Sequence, residues 1–175
     1  MHIEQPSQSL IDIVQEFLEV IGWDFYRDTQ DHIHFDCVGN WNTYRFVVAA
    51  KSAPAEAFIC CQLPFVIPKT YGQNKKVLSV SKATCLLREL IELNHAELPL
   101  GTFYSTLGVE RTITVDWFYR LQINDEIDLQ LLQDTLNRAL DEIDDFYPAL
   151  ALVLTGEVTA QEALDDAIPE VYGTA

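Results

Sequence analysis

The sequence predicts an α+β fold in which helices pack on a twisted antiparallel sheet. Several short segments alternate apolar and polar side chains with the period of two that strands have, and three longer segments repeat apolar residues every three or four positions, as amphipathic helices do. Because helices separate runs of strands instead of alternating with single strands, the class is α+β. The expected order is α-β-β-β-β-α-β-β-α, followed by a short C-terminal helix.

The first helix is expected from about Gln8 to Ile21. Ser7 is the predicted N-cap, because a hydroxyl there can accept a backbone N–H, and Gly22 is the predicted C-cap. The buried stripe of this helix is expected to contain Leu10, Val14, Phe17 and Ile21.

Four strands follow, separated by turn residues. Their expected ranges are Trp23–Asp28, His32–Val38, Thr43–Lys51 and Ala57–Leu63. The third and fourth strands are both expected to be apolar on both faces. In the third, one side carries Tyr44, Phe46 and Val48, and the other carries Val47 and Ala49. Such strands are normally covered on both faces. Helices would form one cover, and the other cover remains unassigned.

The middle of the chain begins with an irregular excursion over Pro64–Lys76, which contains two prolines, one glycine and three lysines. A second helix is expected from about Ser81 to Glu97 and is ended by Pro99. Two further strands are expected near Thr102–Ser105 and over Glu110–Gln122. The longer one carries Ile113, Val115, Trp117 and Tyr119 on a single face.

The third helix is the longest, with Asn124 or Asp125 as its cap. Pro148 lies inside it, so a kink is expected near Asp144–Pro148. Its apolar stripe contains Leu132, Leu136, Ala139, Ile143, Phe146, Leu150 and Val153. Gly156 ends this helix, and a capping box formed by Thr159 and Glu162 opens a final helix, Ala160–Ala167. We expect one domain over residues 1–155 and a short helical extension over 156–175.

The charge of the chain is strongly negative and unevenly placed. The formal net charge is −16, and residues 121–175 contain 13 acidic side chains and one basic one. A field of this sign repels phosphate backbones and anionic lipids, so neither a nucleic acid nor a membrane is an expected partner. No apolar run approaches the roughly 20 residues that span a bilayer, and the N-terminus has no signal-peptide pattern. A cytoplasmic location is expected.

Four cysteines occur, at positions 37, 60, 61 and 85. None forms a C-x-x-C pair, and Cys60 and Cys61 should point to opposite faces of a strand. We expect buried, reduced thiols.

His32, His34 and Asp36 alternate on one face of a strand, a spacing that can place metal ligands side by side. The neighbouring residues Ile33, Phe35 and Cys37 form the apolar face, so an exposed strand face explains the same pattern. The sequence favours the exposed face and no bound metal; a metal site would need a further ligand, for which His2 and His95 are candidates.

Acidic residues gather on the third helix: Asp134, Asp141, Glu142, Asp144 and Asp145. They lack the loop pattern of an EF-hand, and a hydrolytic carboxylate pair would need one buried member. The pattern favours a solvated face that keeps the protein soluble, and a surface for a basic partner segment is the alternative. The candidate partner-binding residues are Asp134, Asp141, Glu142 and Asp145.

A small basic island consists of Lys69, Lys75, Lys76 and Lys82. It is either an ordinary exposed loop or an edge that docks an anion or an acidic helix. The sequence contains no G-x-S-x-G, no Gly-rich phosphate loop and no G-x-G-x-x-G. No catalytic residue and no cofactor is therefore predicted.

Three segments, LIELNHAELPLGTFY, TITVDWFYRLQI and DEIDDFYPALALVL, together resemble the YbjN-like family of bacterial proteins. The resemblance covers about Ser9–Leu154, and its markers are packing and turn residues: Asn94, Pro99, Gly101, Tyr147 and Pro148. That family is labelled as sensory transduction regulators. The resemblance implies a fold similar to the type III secretion chaperones, which are small, acidic, usually dimeric and non-enzymatic, and which hold extended segments of client proteins. The helix at Ala160–Ala167 and the lysine-bearing excursion depart from that pattern.

The leading functional prediction is a non-enzymatic protein-interaction module, chaperone-like or regulatory, that binds segments of a partner protein and works as a homodimer. The alternatives are a small-ligand sensor and an enzyme with a histidine or carboxylate site. A concave pocket with convergent polar groups would favour the alternatives. A shallow apolar groove bordered by carboxylates would favour the interaction module.

Overall fold

The computed structural model of the chain describes residues 9–52, 55–71, 76–96, 99–122 and 129–167, and it confirms the α+β class. The helices are α1 (Leu10–Ile21), α2 (Val80–Ala96), α3 (Leu129–Val153) and α4 (Ala160–Ala167). The strands are β1 (Phe25–Arg27), β2 (Ile33–Val38), β3 (Thr43–Ser52), β4 (Ala55–Val66), β5 (Thr70–Tyr71), β6 (Lys76–Val77), β7 (Thr102–Leu107) and β8 (Thr112–Gln122).

Six strands form one antiparallel sheet in the order β1-β2-β3-β4-β8-β7, and β5 pairs with β6 in a separate two-stranded ladder. The register places the side chains of Phe46, Cys61, Trp117 and Phe103 in one row across four strands. These residues are all buried. This row lies on what we call the inner face of the sheet.

All four helices contribute to a single core with the inner face. Their core residues include Phe17, Leu87, Ile143 and Leu164, which join the inner-face side chains in one hydrophobic cluster. The predicted inward face of β8 is confirmed, because Ile113, Val115 and Trp117 are fully buried and Tyr119 packs against the core. Among the described helices, none is both long enough and apolar enough to cross a membrane.

The outer face of the sheet also carries apolar side chains, but they lie outside this core. At the centre of this face they are Val47, Ala49, Phe58, Cys60 and Phe118, all half-buried. The described helices pack on the inner face. Of the two apolar faces predicted for β3 and β4, helices therefore cover one.

Helix α1 begins later than the sequence suggested. Ser9, not Ser7, is its N-cap: the Ser9 hydroxyl accepts the Asp12 N–H at 3.2 Å, and the Asp12 carboxylate accepts from Ser9, which completes a capping box. This shifts the buried stripe to Ile11, Val14, Phe17 and Leu18, and Leu10 and Ile21 are only partly buried. Ser7 lies outside the described residues. Gly22 is the C-cap as predicted, with φ +74°.

The expected excursion over Pro64–Lys76 is partly wrong. Strand β4 continues through Pro64 to Val66, pairing with β8. Beyond Gln62 its pairing with β3 has ended, so Pro64 lies where β4 has become an edge strand, and proline is tolerated there. The side chain of Arg111 then holds the following loop, donating to the carbonyls of Pro68 at 2.7 Å and Leu78 at 2.6 Å.

The C-terminal helices follow the sequence closely. Every residue of the predicted α3 stripe is buried, and Pro148 lies inside α3. The α4 capping box is confirmed, because the Glu162 carboxylate accepts the Thr159 N–H at 2.8 Å. Helix α4 packs on α2 and α3. The predicted caps Asn124 and Asp125 lie outside the described residues, and the kink near Asp144–Pro148 and the division at residue 155 stay predictions.

Candidate binding surfaces

One carboxylate of α3 is built into the fold. Asp144 is 5% exposed and accepts hydrogen bonds from the Tyr44 hydroxyl at 2.6 Å, the Asn40 backbone N–H at 2.7 Å and the Asn40 side-chain amide at 2.6 Å. The Trp41 N–H adds a fourth contact at 3.3 Å. Asp144 therefore fastens the β2–β3 turn to α3, and the expectation that it belongs to a solvated face is wrong.

The hydrogen bonds also decide the ionisation of this group. Burial by itself would raise the pKa of Asp144, but the donors from Tyr44, Asn40 and Trp41 outweigh it and lower the pKa. Burial raises the pKa of Tyr44, and its bond to the Asp144 carboxylate raises it further. The pair is thus a carboxylate with a neutral phenol. At Gly39 no side chain fits, because a Cβ would stand 2.6 Å from Asp144 Oδ1 and overlap the Tyr44 ring.

A second carboxylate of α3, Glu142, is held in the same way. It is half-buried, and its oxygens accept the Leu100 N–H at 2.6 Å, the Gly101 N–H at 3.2 Å and the indole N–H of Trp117 at 2.8 Å. Trp117 is fully buried, so its N–H needs an acceptor. The expectation of a solvated face is therefore wrong for Glu142 as well. A partner that used this carboxylate, as the sequence predicted, would have to compete with the Leu100, Gly101 and Trp117 N–H groups.

The remaining acidic residues of α3 are exposed. Asp134 accepts from Gln130 one turn earlier at 2.7 Å, and Asp141 and Asp145 lie at the surface. The pKa of Asp145 is raised, first by partial burial and then by the nearby charges of Asp141 and Asp144. These three residues, which we call the acidic α3 face, are the part of the predicted partner surface whose carboxylates face solvent.

The outer sheet face has an apolar centre with a charged border. The rings of Phe58 and Phe118 stack at 5.8 Å. On one side Arg45 donates to Asp36 at 2.8 and 3.0 Å, and on the other Arg120 donates to Glu56. An open apolar strip of this kind is typical of a surface that another chain covers.

At the start of the sheet the structure brings together Asp28, His32 and His34, whose ligand atoms lie within 4.8 Å of one another. His34 Nε2 lies 3.0 Å and His32 Nδ1 3.3 Å from Asp28 Oδ2. The bond to His34 and the backbone N–H of His32 lower the pKa of Asp28. The sequence had placed Asp36 beside these histidines, but Asp36 pairs with Arg45 instead. Asp28 was missed because it lies across the β1–β2 turn from the histidines, and the alternation along the second strand that singled out Asp36 does not include it.

A cavity of about 670 Å³ opens beside the start of β1. Strand β1 pairs with Ile33, His34 and Phe35 of β2, and the rest of β2, residues 36–38, is not paired with β1. The lining combines apolar and charged side chains, among them Trp23, Phe25, Leu140, Asp36 and Arg45.

The four thiols are free, but they are not uniformly buried. Cys37 and Cys61 are buried, Cys60 is half-buried, and Cys85 is exposed, so the expectation of burial is wrong for Cys85. Burial raises the pKa of Cys37 to about 12 and that of Cys60 to about 11. In the basic island, Lys69, Lys76 and Lys82 are exposed, Lys75 lies outside the described residues, and the docking role of the island stays a prediction.

Within the described residues, these features define an α+β protein whose helices pack on one face of a six-stranded antiparallel sheet and leave the other face without a helical cover. The chain belongs to the YbjN family, described as "Putative bacterial sensory transduction regulator", whose model matches residues 10–152. The predicted family membership is confirmed. Helix α4 lies beyond the matched residues.

A solved structure shares the fold. It is described as "Crystal structure of YbjN, a putative transcription regulator from E. coli", with a TM-score of 0.52, 11% sequence identity, and coverage of 77% of this chain and 85% of that one. At this identity the likeness concerns the fold alone. No curated protein matches the sequence.

Proposed function

We propose that this chain is a non-enzymatic regulatory module that binds segments of a partner protein and works as a homodimer. The observation that carries the proposal is the open outer face of the sheet, with a continuous apolar centre formed by Val47, Ala49, Phe58, Cys60 and Phe118. The family description, a sensory transduction regulator, supports a regulatory role.

A second copy of this chain suits the outer face because the face is electrically balanced. Its charged residues on β2, β3, β4 and β8 are three acidic and three basic: Asp36, Glu56, Asp116, Arg45, Lys51 and Arg120. The whole chain carries −16, so two copies repel each other over most of their surface. They can approach through this face without that repulsion.

The size of the face also suits a dimer. At about 4.8 Å between strands, six strands span about 24 Å, and a strand as long as β4 extends about 40 Å. A standard interface buries about 800 Å² on each partner, which such a face accommodates.

Light scattering tests the dimer. The wild-type protein should have twice the 19.9 kDa mass of one chain at micromolar concentration. Ala49→Arg adds a charged side chain at the centre of the outer face without removing any core atom, and Phe118→Ala removes half of the ring stack; both should give monomers. Val109→Asp is the matched control, because Val109 is 81% exposed in the β7–β8 turn. A monomeric wild type, or a dimer that tolerates Ala49→Arg and Phe118→Ala, would contradict the proposal.

For partner binding we propose the acidic α3 face, Asp134, Asp141 and Asp145, which would attract basic or amphipathic segments. The pKa of Asp145 is raised first by partial burial and then by the charges of Asp141 and Asp144, and a nearby cation would relieve that repulsion. Glu142, the fourth predicted residue, contributes to the same charge but has its oxygens engaged by the fold.

An amphipathic lysine–leucine peptide serves as the probe of this face. Its association rate should fall as salt rises from about 0.05 to 0.5 M, because the Debye length shortens. The double variant Asp141→Asn/Asp145→Asn should bind more slowly than Glu89→Gln/Glu92→Gln, which removes the same charge from exposed positions of α2. Equal rates for the two variants would reduce the acidic α3 face to a device for solubility.

A small-ligand sensor is the second candidate, favoured by the cavity of about 670 Å³ and its mixed lining. Thermal unfolding in the presence of small organic acids tests it. A ligand that fits should raise the melting temperature, and Arg45→Gln should abolish the rise. If no ligand raises the melting temperature, this candidate fails and the interaction module stands alone.

A further inference from the structure

We propose that Asp28, His32 and His34 form a binding site for a divalent transition-metal ion, with Zn²⁺ as the simplest occupant. The site adjoins the proposed dimer face, because His34 pairs with Val47 on the outer face of the sheet, and it is separate from the acidic α3 face. It rests on the ligand atoms that the β1–β2 turn brings together in this chain.

Two of the three distances between donor atoms are already close to those in a metal site. Zn²⁺ binds imidazole nitrogen and carboxylate oxygen at about 2.0–2.2 Å, so two ligands of a tetrahedral site lie about 3.3 Å apart. The distances from Asp28 Oδ2 to His34 Nε2 and to His32 Nδ1 are 3.0 and 3.3 Å. All three ligand atoms lie within 4.8 Å of one another, so small side-chain rotations would close the site.

The backbone and a neighbouring ring hold the ligands in place before any ion binds. Asp28 Oδ1 accepts the N–H groups of Gln30 at 2.8 Å and His32 at 2.9 Å, which leaves Oδ2 directed at the histidines. The His34 ring stacks on Tyr26 at 4.5 Å with an angle of 3° between the planes. Such outer contacts fix ligand orientation and strengthen metal binding.

The donor set selects the type of ion. Two imidazoles and one carboxylate suit Zn²⁺, Ni²⁺, Co²⁺ or Cu²⁺, whereas Mg²⁺ and Ca²⁺ prefer oxygen ligands alone. The side chains are partly exposed, at 28% for Asp28, 34% for His32 and 17% for His34. With three protein ligands the ion would keep an open position that water or a group from another molecule can fill.

The structure also separates this site from the one that strand alternation suggests. Asp36 shares the outward face of β2 with His34, but its carboxylate is held by Arg45. Asp28 reaches the histidines from the turn. Asp36 is therefore a matched control: the same residue type, on the same strand face, outside the site.

Binding is measured with the tag-free protein carrying Cys85→Ser, so that the exposed thiol does not bind the ion. Co²⁺ absorption reports the ligand set, and competition with a chromophoric chelator gives the Zn²⁺ affinity. Loss of an orienting contact alone weakens metal sites about 10–100-fold, so His32→Gln and His34→Gln should weaken binding by about 100-fold or more. Asp28→Asn, which keeps the Oδ1 acceptor of the turn, should weaken it at least about tenfold.

One ion per chain, lost in both histidine variants and retained in Asp36→Asn, is the expected result. Circular dichroism of each variant verifies the fold. Among the described residues no backbone group is hydrogen-bonded to the His32 side chain, so this variant in particular should fold. A wild type that binds no Zn²⁺ below millimolar concentration overturns the proposal. So does binding that survives both histidine changes, or that Asp36→Asn weakens as much as Asp28→Asn.

Discussion

The two sides of α3 put neighbouring acidic residues to opposite uses. Asp144 and Glu142 face the sheet and accept seven hydrogen bonds between them, from the β2–β3 turn, Tyr44, the loop before β7 and Trp117. Asp141 and Asp145, one position away in each case, are exposed. The pKa is lowered for Asp144 and raised for Asp145.

The difference shows that the hydrogen-bond donors around a carboxylate, and not the density of charge along α3, decide whether that carboxylate is part of the fold. A buried carboxylate is stable only when hydrogen bonds replace its lost hydration. The inner side of α3 supplies those donors from segments far away in sequence. On the outer side, these segments donate no hydrogen bond to Asp141 or Asp145 in the described residues, and the two carboxylates remain available to other molecules.

The largest effect is expected for Asp144→Ala. It leaves the Tyr44 hydroxyl and the Asn40 and Trp41 N–H groups without their acceptor, which should lower the free energy of unfolding by about 3–5 kcal/mol. Urea denaturation followed by circular dichroism measures the loss. Asp145→Ala is the control and should change stability by no more than about 0.5 kcal/mol. Equal losses for the two variants would erase the distinction between the two sides.

Glu142→Gln should have the next largest effect. The amide keeps the shape but replaces one acceptor oxygen by a donor, facing Leu100 on one side or Gly101 and Trp117 on the other. A loss of about 1–3 kcal/mol is expected, with a change in the fluorescence of the buried Trp117. Asp141→Asn serves as the comparison and should leave the spectrum unchanged. Unaltered stability and fluorescence in Glu142→Gln would show that the hydrogen bonds contribute nothing.

The pH dependence should have opposite signs on the two sides. Because the pKa of Asp144 is lowered from 3.8, its contribution to stability is present above that value and is lost as pH falls through the lower pKa of the folded state. Asp145 has a raised pKa, so it destabilises the fold at neutral pH and this penalty disappears as pH falls toward 3.8. Asp145→Asn should therefore be slightly more stable than wild type at neutral pH only. A stability difference between them that does not change with pH would contradict the assignment.

The smallest effect is expected at Asp134. Within the described residues, the hydrogen bond that its side chain accepts comes from Gln130, one turn earlier in α3. Such pairs stabilise helices by about 0.2–0.5 kcal/mol, and alanine regains a similar amount through helix propensity. Asp134→Ala should thus leave the urea midpoint within error of wild type. A loss above about 1 kcal/mol would show that this side of α3 is also part of the fold.

Local patterns predicted the parts of the fold whose causes are local. The stripe of α3, the inward face of β8 and the capping box of α4 depend on residues a few positions apart, and each is confirmed. The start of α1 was misplaced because Ser7 and Ser9 both lie just before the apolar stripe, and the Ser9–Asp12 pair is the one that closes a capping box in the described residues. The predicted end of β4 was too early because a proline normally ends a strand. Pro64 is tolerated here because β3 no longer pairs with β4 at this point, and the sequence alone does not show where that pairing stops.

The candidate sites depend on contacts that no spacing rule records. Asp28 joins the histidines across a turn, and Glu142 meets Leu100 and Trp117 from 42 and 25 residues away. One signal was present: a tryptophan on an apolar strand face carries an N–H that must find an acceptor. It indicates that an acceptor exists, but only the packing of α3 on the sheet selects Glu142.

The bond between Tyr44 and Asp144 closes a loop of 100 residues, and this has a consequence for the growing chain. Ribosomes add about 5–20 residues per second, so the β2–β3 turn is synthesised about 5–20 s before its acceptor. During that interval the turn and Tyr44 lack the carboxylate that fixes them. The first half of the sheet therefore reaches its final form only when α3 has been synthesised and docks on it.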